Sequence, residues 1–319
     1  MVKEIKITKK LTFILLLAVL STNVFASNNI EPAGVHNDSS FENVETTDAN
    51  DEEVLESYKK SIAEAFESVS MPEVANLPSL FSQPTFHPYD TDFFGKDKDS
   101  APIFRVKVED DDTERQNCMC ITFDSAYVNK FTYQILDILD KYNIKSTFFM
   151  TYEFMSNNSE QVLEVIKRGH EVANHSTTHP DLNKVTDAKV VMEVMQAHNY
   201  IKNLVGIDMC LFRYPFGSYS PRTLTLLKNM GYYPIQWSAD SVDWKNTGKE
   251  FLVNRFSGND MLYEGAIVLF HNGATYTPEA LPEIIEKIQK RGLKCVRVSD
   301  LIYRHDFYID TGVQFRLNK

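Results

Sequence analysis

The run CMCITF at 118–123 decides the fold when read together with the segments after it. It is a short apolar segment of strand type. Beyond it, Thr132–Lys141 places Ile135, Leu136, Ile138 and Leu139 at helical spacing, and Ser146–Met150 is a second apolar run. Two such strands joined by a helix predict a parallel pair with a helical crossover. The pattern continues downstream with a helix over Gln161–Arg168 closed by Gly169, a helix over Asp187–Leu204 and a strand over Cys210–Arg213. A helix over Pro221–Met230 and a strand over Tyr233–Trp237 come next, then a strand over Ile267–Phe270, a helix over Ala280–Arg291 and a strand over Lys294–Val298. Alternation of this kind predicts an α/β fold with a parallel sheet, either open or closed into a barrel. In both forms, functional groups gather at the carboxyl ends of the strands.

The chemistry-bearing residues fall at those ends. Asp124 and Ser125 follow the first strand, and His175 and His179 lie beyond the helix that Gly169 closes. Arg213, Tyr214 and Phe216 follow the next strand, then Asp240, Asp243 and Trp244, and finally Leu269 and His271. Two histidines four residues apart can hold one borderline-soft ion. On spacing alone a pair of surface or capping histidines is the favoured reading. His170, His36, His87 and His305 have no such setting and read as structural or surface residues.

Taken in order, TFDSA at 122–126, HSTTH at 175–179, RYPFG at 213–217, DSVDW at 240–244 and LFH at 269–271 resemble the five motifs of the polysaccharide deacetylase family. Its catalytic unit is the NodB homology domain of carbohydrate esterase family four. The resemblance runs from about Cys118 to Tyr303 and implies a distorted (β/α) barrel over 117–305. It implies that His175 and His179 hold a divalent metal, zinc by preference, with cobalt or manganese as alternatives. Asp124 would be the general base, oriented by Arg213, and His271 the general acid, held by Asp243. The Phe216 backbone N–H would face the oxyanion, Trp244 and Leu269 would line a pocket for the acetyl methyl, and Tyr214 would flank the sugar. Asp240 would be structural.

One position departs from the pattern. Where the family carries an aspartate as third metal ligand, this chain has Ser125, followed by Ala126 and Tyr127. A neutral hydroxyl is a far poorer ligand than a carboxylate. Three outcomes stay open: a metal held by two histidines and water, Asp124 recruited as a ligand, or a site without metal.

The remaining sequence sets the context. Lys3, Lys6, Lys9 and Lys10 precede the apolar run Leu11–Leu20, and Val24-Phe25-Ala26 offers a cleavage site, so residues 1–26 read as a secretory signal peptide. An uncleaved anchor is the alternative, but the run is shorter than the roughly 20 residues a bilayer requires, and no stable span is expected once the signal is cleaved. Residues 27–50 read as a disordered acidic spacer. Residues 51–116 form an extension with one amphipathic helix over Asp51–Ser70, for which the sequence names no partner, and 306–319 read as a C-terminal tail. The net charge of −11 concentrates in residues 27–117, and no basic stripe exists, which argues against nucleic acid. Cys118, Cys120, Cys210 and Cys295 lie in or beside strands and read as buried thiols, with one bridge left open.

The expectation is a secreted or wall-associated hydrolase that removes N-acetyl groups from an N-acetylated polysaccharide such as peptidoglycan. The alternatives are a non-catalytic glycan- or wall-binding protein on the same scaffold, and an O-deacetylase.

Overall fold

The computed structural model describes residues 101–127, 130–258 and 260–317. The segments read as a signal peptide, an acidic spacer and an amphipathic helix over Asp51–Ser70 lie outside the described residues.

Eight parallel strands form the main sheet: β2 (Cys118–Ser125), β3 (Thr147–Met150), β4 (Glu171–Asn174), β5 (Leu211–Phe212), β6 (Tyr233–Pro234), β7 (Ala239–Asp240), β8 (Ile267–His271) and β9 (Lys294–Cys295). Their order is β6-β5-β4-β3-β2-β8-β7, with β9 against the start of β2. Crossover helices include α1 (Thr132–Lys141), α3 (Ser159–Lys167), α4 (Asp187–Val205), α5 (Pro221–Asn229) and α7 (Thr277–Lys290). The sheet curls into a distorted half-barrel, the α/β class that the alternation predicts.

Strand periodicity explains where β2 sends its side chains. Met119, Ile121 and Phe123 pack with Ile135, Leu136 and Leu139 of α1 and Ile284, Ile285 and Ile288 of α7. Cys118 and Cys120 join a second core with Phe149, Ala173, Leu211, Tyr233 and Ile267. Asp124 shares their parity, so the same alternation carries its carboxylate to the interior of the curl. All four cysteines are free thiols.

Chain ahead of β2 covers the open side. Ile103 N–H donates to the Pro234 carbonyl (2.8 Å), and Gln236 N–H donates to Ile103 (2.7 Å), which covers the outer edge of β6. Val106 N–H then reaches Gly265, just before β8, at 3.0 Å. Gly265 has φ +79, and an added Cβ would stand 1.9 Å from the Val106 carbonyl oxygen, so no other residue fits there.

The segment read as a tail is structured. β10 (Phe307–Asp310) and β11 (Val313–Arg316) make an antiparallel hairpin, and β1 (Arg105–Val106) pairs with β11. Thr311 and Gly312 take positive φ at the turn, as a two-residue hairpin loop requires. Phe307 and Ile309 enter the second core. Four-residue strands with half-exposed alternate positions give too little periodicity to read from sequence.

Candidate active site

Asp124 and His271 end neighbouring strands and stand opposite one another in the β2–β8 register. Each is fixed by a buried partner. Arg213 leaves the end of β5 and donates from one nitrogen to Asp124 Oδ1 (2.8 Å) and Thr122 Oγ1 (2.8 Å), and from another to the Gln236 carbonyl (3.2 Å). Its guanidinium lies 3.9 Å from the centroid of Phe149. Burial, the largest influence, pushes the Asp124 pKa up, but Arg213, His175 and His271 outweigh it and hold the carboxyl below its ordinary range. Asp124 is therefore ionised at neutral pH, with Oδ1 engaged and Oδ2 turned toward His175 Nε2 at 3.5 Å.

His271 is the counterpart. Its Nδ1–H donates to Asp243 Oδ1 at 2.7 Å, and its backbone N–H donates to Asp243 Oδ2 at 2.8 Å. Thr277, the first residue of α7, donates its hydroxyl to the same Oδ2 at 2.6 Å. Burial pulls the imidazole pKa down, but the Asp243 bond and the charges of Asp243, Asp124 and Asp240 prevail and raise it above 6.5. Nδ1 is occupied, so Nε2 is the nitrogen available to a reactant. The two groups are pushed in opposite directions, the arrangement that separates a base from an acid.

His175 and His179 close the other side. His175 Nδ1–H donates to the Arg213 carbonyl (2.9 Å), which fixes the tautomer and leaves a lone pair on Nε2. His179 Nε2 lies 3.1 Å from that atom. Two nitrogens bound to one zinc in tetrahedral geometry stand about 3.3 Å apart, so the pair fits two corners of such a site. Burial, chiefly, lowers both pKa values, that of His179 to about 4, and neutral imidazoles are what a cation needs. Among the described residues, no cluster of three His, Cys, Asp or Glu side chains is placed to hold a metal. Ser125 is fully buried, and among the described residues its hydroxyl has no hydrogen-bond partner. The donor set thus fits a divalent ion at two positions, with a neutral oxygen where the family has a carboxylate.

The rim is aromatic. Phe216, at φ 59 in a one-turn 3-10 segment (Pro215–Gly217), is 71 % exposed and meets His179 edge-on at 4.5 Å between centroids. Tyr127, 62 % exposed, meets the same ring at 5.6 Å. Trp244, 56 % exposed, stands on the turn that carries Asp243. Leu269 is buried two residues before His271, on the same inward parity of β8. Asp240 accepts from Val242 N–H at 2.8 Å, immediately ahead of Asp243.

Tyr214 is a correction. The resemblance implies that it flanks a sugar, yet it is fully buried against Phe212 and Tyr219. The chain alternates at Arg213-Tyr214, so pointing Arg213 at Asp124 sends the Tyr214 ring into the helix layer. His170 is structural, its Nδ1 accepting from Ser146 N–H at 3.1 Å, and His305 is exposed. Thr122 falls within the TFDSA motif without a role read for it, and Thr277 and Glu193 do not stand out in the sequence. Glu193 carries one signal, because it interrupts the apolar stripe Val190, Val194, Ala197, Ile201 of α4.

Together these features set an ionised carboxylate, an imidazole of raised pKa and a pair of neutral histidines around one cleft on a curled parallel sheet. The family model for polysaccharide deacetylases matches residues 111–235. A peptidoglycan-N-acetylglucosamine deacetylase of Bacillus cereus is 33 % identical over 196 residues, covering 60 % of this chain and 91 % of that one. The chain belongs to the polysaccharide deacetylase family. Its fold also matches a family 4 carbohydrate esterase pseudoenzyme from Bacillus anthracis, with TM-score 0.59 and 25 % identity over 68 % of this chain and 74 % of that one. A mutant of that pseudoenzyme with restored enzymatic activity matches with TM-score 0.59 and 26 % identity, covering 69 % and 74 %. Among the described residues, no helix is long and apolar enough to cross a membrane.

Proposed function

We propose that this chain is an exported N-deacetylase of an N-acetylated cell-wall glycan such as peptidoglycan. One observation carries the reading: Asp124 and His271 lie opposite each other on adjacent strands, with their pKa values displaced in opposite directions by separate buried partners.

Hydrolysis of an acetamide needs a proton taken from water and a proton given to the departing amine. Asp124 Oδ2 accepts the first while Arg213 keeps Oδ1 engaged. His271 Nε2 donates the second, and Asp243 stabilises the imidazolium beforehand. The Phe216 backbone N–H stabilises the oxyanion, a role worth roughly 3 kcal/mol in comparable sites. Trp244 and Leu269 enclose the acetyl methyl. A divalent ion, zinc first and cobalt or manganese next, would be held by His175 and His179 and would polarise the acetyl carbonyl when bound. Export rests on residues 1–26 and would appear as a secreted protein lacking them.

The buried, unpartnered Ser125 hydroxyl favours a second reading, a non-catalytic glycan-binding scaffold. Incubating the protein with N-acetylglucosamine oligomers and zinc, cobalt or manganese separates the possibilities. Acetate released with an equal amount of free amine supports the N-deacetylase. Acetate from an O-acetylated glycan without new amine makes it an O-deacetylase. Glycan retention with no acetate under any metal leaves the scaffold.

A further inference from the structure

The loop that carries His179 is held by a charge no motif includes. Ser176 (φ 73) and His179 (φ 59) both occupy the left-handed region, which non-glycine residues enter at a cost of order 1 kcal/mol or more each. Such a conformation persists only when its surroundings over-determine it. Tyr152 N–H and Glu153 N–H hold the carbonyls of Ser176 and Thr177 (3.0 and 3.3 Å), and the side chain that holds the turn's N–H groups beyond Ser176 is Glu193 of α4, a carboxylate with no solvent exposure. Its Oε2 accepts from the backbone N–H of Thr177 (3.0 Å) and of Thr178 (2.8 Å). Its Oε1 accepts from the Thr178 hydroxyl (2.9 Å), with Lys189 Nζ at 3.0 Å. The Thr177 hydroxyl donates to the Glu193 carbonyl oxygen at 2.9 Å.

The histidine pair is anchored unequally. His175 extends from β4, with its N–H on the Met150 carbonyl and its ring on the Arg213 carbonyl. His179 has its N–H on Ser176 Oγ, within the same loop, and among the described residues its ring Nδ1 bonds no other residue. Its position relative to His175 therefore depends on the turn between them, where Ser176 N–H donates to Asn174 Oδ1 (2.9 Å) and the N–H groups of Thr177 and Thr178 converge on Glu193.

We propose that Glu193 is a positioning residue that sets His179 against His175 by clamping Thr177 and Thr178. Residues that orient ligands from behind typically cost 10–100-fold in metal affinity when mutated. The proposal rests on reading His175 and His179 as a ligand pair.

The test is zinc affinity of the full chain, measured by competition with a chromophoric chelator, together with amide hydrogen exchange. Glu193→Gln should bind zinc at least tenfold more weakly than the parent, approaching His179→Ala. In the His179→Ala background it should add less than a twofold loss, because its effect passes through that histidine. Lys189→Met should stay within twofold of the parent. Parent-like zinc affinity in Glu193→Gln, or an undiminished extra loss in the His179→Ala background, overturns the proposal. Should the parent itself bind no zinc, the ligand-pair reading fails and exchange decides the clamp. Amides of Thr177–His179 exchanging at least tenfold faster in Glu193→Gln, with β2 and β3 amides unchanged, uphold it. Unchanged exchange at those amides refutes it.

Discussion

The two sides of the cleft are built to different standards. On the side of β2, β5 and β8, each reactive group is tied to a fully buried counter-charge, Asp124 to Arg213 and His271 to Asp243. On the side of the 175–179 loop, the His175 ring has one carbonyl partner, and among the described residues His179 Nδ1 bonds no other residue and Ser125 Oγ is buried without a partner. A buried polar group lacking its bond costs about 1–3 kcal/mol, and such groups call for an explanation. The contrast teaches that, under the proposed function, the groups that move protons and the groups that would hold an ion are specified separately on one scaffold. The proposed acid and base each have a buried counter-charge, whereas the proposed ion site has two imidazoles and no carboxylate at position 125.

The largest expected effect breaks the side of the proposed acid and base. His271→Ala should lower acetate release about 10²–10⁴-fold, the usual worth of a positioned acid, with little change in KM. Asp243→Asn should fall in a similar range, because it unsettles the imidazole and weakens its proton affinity. The parent pH profile should plateau from below the ordinary carboxylate range, where Asp124 ionises, and fall as pH rises through a His271 pKa above 6.5. A profile with no alkaline limb in that region, or a His271→Ala protein as active as the parent, removes His271 from the acid role.

Next in size is stability. Arg213→Met leaves Asp124 as an uncompensated buried charge, which typically costs about 3–5 kcal/mol. In the parent, the depressed Asp124 pKa supplies stability that is present above its unfolded value and lost as pH falls through the lower, folded value. In the variant, burial acts without the guanidinium, the folded pKa rises above the unfolded one, and the sign inverts. Chemical denaturation at pH 4 and pH 7 should then find Arg213→Met less handicapped at the lower pH. An equal deficit at both would show that the pair contributes packing and little charge.

How far this contrast is legible in the sequence depends on range. The helix Thr132–Lys141 has the bounds its apolar spacing predicts, and each strand-end residue that the motifs single out lies at a carboxyl end. Those signals are local. The hairpin at 307–316 and the covering segment at 103–106 depend on pairing between distant parts of the chain, which no local period encodes. The same holds within the site. Tyr214 is misplaced by a sequence reading because its direction is set by where Arg213 must point. Glu193 and Thr277 escape such a reading because their partners lie 15 to 34 residues away. Ser125 is legible as a departure, but only the folded chain reveals that its hydroxyl has no partner.

The side of the proposed ion site is sharpened by adding a charge. Ser125→Asp should tighten zinc binding by about 10–100-fold, since an added carboxylate both ligates and neutralises the ion. His175→Ala should abolish binding in the parent and in the Ser125→Asp background. Calorimetric titration of the four proteins tests both statements. Unaltered, tight binding in His175→Ala would remove the histidine pair from the ion site. No gain from Ser125→Asp would mean that the hydroxyl is not the missing ligand position.

The smallest effect concerns the rim. Trp244 is more than half exposed, yet it rides on the turn that positions Asp243, with Lys245 Nζ 5.1 Å from the ring centroid. An exposed aromatic contributes little to folding, so Trp244→Ala should shift stability by no more than about 0.5 kcal/mol. If its ring lines the acetyl pocket, losing that contact should raise KM by roughly 2- to 13-fold, the equivalent of about 0.5–1.5 kcal/mol for an aromatic contact, and leave kcat nearly unchanged. A kcat loss as large as that of Asp243→Asn would mean instead that the tryptophan holds the turn under the acid. The ring would then act as support for Asp243, and substrate recognition would fall to Phe216 and Tyr127, the exposed aromatics beside His179.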